Sequence, residues 1–119
     1  MIPGFKVSFP LTLGETSSLY FRLQNAGAYC LGKDYGHFKT LSLEECLATA
    51  CEASRWDPRL LEILVDYFYR RYVDVRPFIL NRLLKSMPTP QTIGVILSFV
   101  LTLSKTREVT RFNQIVAAD

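Results

Sequence analysis

Between residues 57 and 72 the charged side chains recur with a helical period, and this constrains the fold more than any other feature. Arg59, Glu62, Asp66 and Arg70 fall three or four residues apart, so in a helix they share one stripe. Asp57-Pro58 opens the segment. The aspartate offers a capping oxygen, and a proline in the first turn gives up an amide that has no helical partner. Nearly everything else is apolar: Leu60, Leu61, Ile63, Leu64, Val65, Tyr67, Phe68, Tyr69 and Tyr72. So narrow a polar stripe predicts a central helix, packed on several neighbours, with Arg59–Glu62 and Asp66–Arg70 as ion pairs along its wet edge.

The flanking segments carry start signals of the same kind. Ser42 and Glu45 have capping-box spacing, with Leu43, Cys46, Leu47 and Ala50 following at helical intervals. Asp74 is placed to cap a helix over residues 75–87, with Pro77 in its first turn. Thr89-Pro90 repeats the cap-then-proline pattern before a helix over residues 91–104, where Gly94, Ser98 and Thr102 form one stripe of small side chains. Such a stripe lets a second helix approach closely, with Leu97, Val100 and Leu101 filling the flanks. Residues 108–116 read as a short helix or an extended tail. Near the amino terminus Thr16, Ser17 and Ser18 suggest caps for a helix whose stripe is Tyr20, Leu23, Gly27 and Cys30. Before it, Phe5, Val7 and Phe9 alternate with Lys6 and Ser8, which is a strand period, and Pro10 confines that strand to an edge.

The expected fold is therefore mainly α: a small helical bundle of four to five helices with an extended N-terminal arm. Residues 1–15 form the arm and residues 16–119 the bundle, as a single domain. A length of 119 residues is enough to build a core without a metal or disulfide.

Location is read from absences of pattern. The Met1-Ile2-Pro3-Gly4-Phe5 start lacks the basic and apolar regions of an export signal. The apolar run over residues 93–103 would span about 16 Å as a helix, about half a bilayer core. These readings predict a cytoplasmic chain with no membrane partner, whose odd set of Cys30, Cys46 and Cys51 stays reduced. Val116-Ala117-Ala118-Asp119 carries no helix stop, the pattern of a piece of a longer protein.

Several chemistries find little support. His37 is the single histidine, in the turn-like Asp34-Tyr35-Gly36-His37, with no nucleophile elbow or glycine-flanked cysteine beside it. A zinc site or small catalytic centre from His37, Cys30, Cys46 and Cys51 is a minor alternative. It lacks a Cys-x-x-Cys knuckle, and Cys46 and Cys51 diverge around one helix. No phosphate-binding glycine loop occurs. Glu44, Glu45 and Glu52 fit caps and surface stripes better than paired catalytic carboxylates. The expectation is no enzyme, no cofactor and no metal.

Two positive features remain. Residues 55–119 hold ten bases and six acids, against four and five before them. Arg70, Arg71, Arg76, Arg82 and Lys85 fall close together with Tyr67, Tyr69 and Tyr72 nearby, a pattern suited to phosphates and stacked bases. Against this, Arg70, Arg71 and Lys85 sit at helix ends, where a cation is favoured by the dipole alone. The other feature is a surplus of apolar side chains for so small a bundle. The primary expectation is a non-enzymatic interaction or regulatory domain that self-associates through Gly94, Ser98 and Thr102 and through the edge formed by Phe5, Val7 and Phe9. The alternative is a nucleic-acid-binding domain using the five basic residues.

Overall fold

In the computed structural model, which describes residues 6–118, local capping sets where most helices begin. Helix α1 (Leu13–Asn25) starts at Thr12, whose hydroxyl accepts from the Glu15 amide while the Glu15 carboxylate accepts from the Thr12 amide. Helix α2 (Leu43–Ala53) uses Ser42 and Glu45 in the same way. Asp57 caps α3 (Pro58–Arg71) by accepting from the Arg59 amide. A 3₁₀ turn over Tyr72–Asp74 separates α3 from α4 (Pro77–Lys85), which is followed by α5 (Thr92–Leu103) and α6 (Arg107–Val116). Thr106 caps α6 through the Val109 amide.

The fold is mainly helical, with six α-helices among the described residues, more than the expected four to five. Residues 107–116 form a true helix, and α1 begins upstream of its expected caps. Ser17 and Ser18 instead bond outward. Their hydroxyls accept from the amides of Lys33 and Tyr35, binding residues 30–35 across α1 as a strap. Gly32 permits that approach, since a Cβ there would lie 2.3 Å from the Ser17 carbonyl oxygen. Gly27, at φ +106°, ends α1 rather than continuing its stripe, with the Ala28 amide donating back to the Leu23 carbonyl.

The extended arm stops at Thr12, so residues 13–15 belong to the bundle. No strand forms among the described residues. Val7 and Phe9 lie half-buried against the core, and Phe9 stacks on Trp56 with ring centroids 6.0 Å apart. Phe5 lies outside the described residues. The alternation at Lys6–Phe9 thus encodes side chains folded onto helices, without a ladder partner.

The central helix is α2, not α3. Every residue from Glu44 to Ala53 is buried, and α2 packs on α1, α3, α4 and α5. Helix α3 buries Leu60, Ile63, Leu64, Tyr67 and Phe68, but leaves Leu61 and Val65 half-open and Tyr69 exposed. Its width of apolar surface exceeds what its neighbours cover. Of its two expected ion pairs, Asp66–Arg70 forms at 2.7 Å, while Arg59–Glu62 is not among the ion pairs of the described residues.

All three glutamates of α2 are buried rather than surface charges, and two of them, Glu44 and Glu52, act on other elements. Helices α4 and α5 have no capping side chain of their own. Glu44 accepts from the Arg76 amide and guanidinium, each at 2.9 Å, at the start of α4. Glu52 accepts from the Thr89 amide at 2.9 Å in the turn leading to α5. Asp74, expected to cap α4, instead pairs with Arg71 at 2.8 Å. Unmatched helix-start amides attract carboxylates whichever element supplies them. One apolar core joins all six helices, with a radius of gyration of 13.2 Å. Among the described residues no helix is long and apolar enough to cross a membrane.

Candidate functional site

Helix α5 divides cleanly into two faces. Ile93, Ile96, Leu97 and Val100 point into the core. Gly94, Val95, Ser98, Phe99, Thr102 and Leu103 are exposed. A Cβ added to Gly94 would meet nothing within 4 Å, so the small-residue stripe is open to a partner. The Ser98 and Thr102 hydroxyls donate to carbonyls of their own helix, Val95 at 2.7 Å and Phe99 at 2.6 Å. With those donors satisfied internally, the face presents mostly carbon to water. No charged residue occurs anywhere in α5.

The flanks of the stripe differ from expectation. Leu97 and Val100 are core residues and Leu101 is half-buried, so the outward ridges are Val95, Phe99 and Leu103. They were legible as the residues that directly follow Gly94, Ser98 and Thr102, recurring four apart away from Ile93, Ile96 and Val100. Beyond Phe99 the face continues into a groove of about 500 Å³ between α3 and α5, walled by Leu61, Val65, Phe99 and Leu103 and edged by Glu62 and Asp66. Leu61 and Val65 were not foreseen as surface because the α3 pattern read as fully enclosed.

The five basic candidates divide. Arg70 pairs with Asp66, donates to the Gly27 carbonyl and lies over the Tyr29 ring at 3.5 Å. Arg71 pairs with Asp74 and donates to the Ala26 carbonyl. Arg76 pairs with Glu44 at 2.9 Å. These three guanidiniums tie elements of the chain together. Arg82 and Lys85 are exposed on α4 and outside every ion pair of the described residues.

All three thiols are free and buried. Burial pushes Cys46 up to about 11 and raises Cys51 further, with the neighbouring Glu52 adding to the effect. Burial also raises Cys30, whose thiol donates to the Tyr20 carbonyl at 3.4 Å. His37 is exposed beside Phe38. Among the described residues no three His, Cys, Asp or Glu side chains gather as a metal site. No protein-family model, curated protein or solved structure matches the chain.

Proposed function

We propose that the chain is a non-enzymatic interaction module that self-associates by packing the outer face of α5 against the same face of a second copy. The observation that carries this reading is the uncharged outer face from Gly94 to Leu103, which no described residue covers. A stripe of small residues bordered by larger ridges is complementary to itself. Two such helices crossing about a two-fold axis seat the ridge of one in the stripe of the other.

Magnitude favours a weak, regulated association. Burying the exposed halves of Val95, Phe99 and Leu103 on two copies contributes about 6 kcal/mol gross. The freedom lost on association costs about 4–15 kcal/mol. The wall of the adjoining groove, Leu61 and Val65, supplies additional apolar surface. With that surface the gross gain reaches about 10 kcal/mol, so even at the lowest association cost the expected dissociation constant is tens of micromolar or weaker.

A single new thiol tests the geometry, because the native cysteines are buried. Ser98→Cys is expected to give a disulfide-linked dimer under mild oxidant, since stripe-to-stripe packing brings the two Cα atoms within about 7 Å. Gln114→Cys, exposed on α6, serves as the control. Cross-linking no faster at position 98 than at position 114 rules out this contact.

A further inference from the structure

We propose that the groove between α4 and α6 is a binding track for single-stranded nucleic acid. This surface is separate from the outer face of α5. Phe78, Arg82 and Lys85 lie four and then three residues apart on α4, all exposed. Arg107, Arg111 and Gln114 repeat that spacing on α6 and are also exposed. Each trio therefore occupies one side of its helix, and the two helices pack together.

A hollow of about 430 Å³ lies between the two helices, with Phe78, Asn81 and Lys85 of α4 and Arg111 and Gln114 of α6 in its wall, while Arg82 lies outside it. A second hollow of about 520 Å³, lined by Arg107, Thr110, Arg111 and Gln114, shares Arg111 and Gln114 with the first. The two adjoin along α6, so Lys85, Arg111 and Arg107 border one shallow cationic surface that also holds the Phe78 ring, 70% exposed. Among the described residues none of Arg82, Lys85, Arg107 and Arg111 is spent in an ion pair. The acid nearest them in sequence is Glu108.

The chemistry of the lining selects the ligand. Arg107 and Arg111 stand about 6 Å apart along the helix axis, a separation suited to successive phosphates of an extended strand. Phe78 offers a face on which a base can stack, and Gln114 offers an amide for base or sugar. A cationic groove with an aromatic platform is the recurring solution for binding a flexible strand. A membrane surface fits less well. It is flat, whereas these cations line a concavity, and a single exposed aromatic is a small apolar payload for insertion.

The test uses a fluorescent mixed-sequence single-stranded oligonucleotide, titrated with the full chain at several salt concentrations. Neutralising three phosphates with Lys85, Arg107 and Arg111 predicts a log–log salt slope of about −2. The double variant Arg107→Glu/Arg111→Glu is expected to lower affinity at least tenfold and to flatten the slope. Phe78→Ala is expected to weaken binding with the slope unchanged. Lys39→Ala, an exposed cation elsewhere, is expected to change neither. Should the double variant fail to fold by circular dichroism, Lys85→Glu carries the same prediction. No binding at low salt, or affinity indifferent to Lys85, Arg107 and Arg111, overturns the proposal. So does preferential binding to phosphatidylserine vesicles.

Discussion

Glu52 and Thr89 lie 37 residues apart in sequence, yet the fully buried Glu52 carboxylate accepts a hydrogen bond from the Thr89 amide at 2.9 Å. Its other oxygen accepts from Arg55 at 3.2 Å. The central helix thereby fixes the turn from which α5 departs. Glu52→Ala leaves the half-buried Thr89 amide without its acceptor and frees the largely exposed Arg55 guanidinium, and is expected to cost about 2 kcal/mol. Urea unfolding of the variant checks this. Glu52→Gln keeps one acceptor oxygen and is expected to lose about half as much. A loss below about 0.5 kcal/mol in Glu52→Ala shows that the contact is not structural.

Glu44 makes stability depend on acid. Burial pushes its carboxyl up, but hydrogen bonds from the Arg76 side chain and amide outweigh this and hold it below its ordinary value of 4.5. A carboxyl lowered in the folded state contributes stability above its unfolded value, and that contribution is lost as pH falls through the folded value. This contribution is therefore expected to fade as pH drops below about 4.5. Glu44→Gln is expected to be less stable at neutral pH and less dependent on pH in that acid window. Equal pH profiles for the two proteins by thermal melting contradict this assignment.

Two glycines separate a structural constraint from an open surface. Gly32→Ala places a methyl 2.3 Å from the Ser17 carbonyl oxygen and 2.4 Å from the Phe21 nitrogen, both backbone atoms that cannot turn aside. The strap must lift from α1, at an expected cost of about 2–3 kcal/mol. Gly94→Ala meets open space and removes a glycine from a helix interior. The monomer is expected to gain about 0.5–1 kcal/mol. Denaturation at low protein concentration distinguishes the two.

The thiols report the integrity of the core. Burial raises Cys46 to about 11 and Cys51 and Cys30 above their ordinary value, so little thiolate forms at neutral pH. A thiol reagent is expected to label them only as fast as the protein opens, and all three promptly in denaturant. Rapid native labelling of Cys51 contradicts the central placement of α2.

Helix positions were largely legible because their signals are local. Ser42 with Glu45, and Asp57 with Pro58, mark starts within four residues. What escaped was information carried between elements. Glu44 and Glu52 read as polar surface because nothing local shows that Arg76 and Thr89 will need a carboxylate. Helix α2 looks modest in sequence, with Ala48, Ala50 and Ala53, yet small side chains are what allow four helices to crowd it. Helix α3, richer in large apolar residues, had more than its neighbours could cover, and Leu61 and Val65 remain partly outside. The Gly94–Ser98–Thr102 stripe was visible, but its outward ridges depend on which side of α5 meets the core. Arg107 and Arg111 gained a candidate role only when α6 was seen to lie beside α4.

Sedimentation equilibrium of wild type and Phe99→Glu, from about 5 to 500 µM, tests self-association through α5 most directly. Phe99 is half-exposed in the folded monomer, so a charge there should leave the fold intact while opposing burial of the face. The account predicts a reversible wild-type dimer and at least tenfold weaker association for the variant. A wild type that stays monomeric throughout, or a variant that associates equally well, contradicts it.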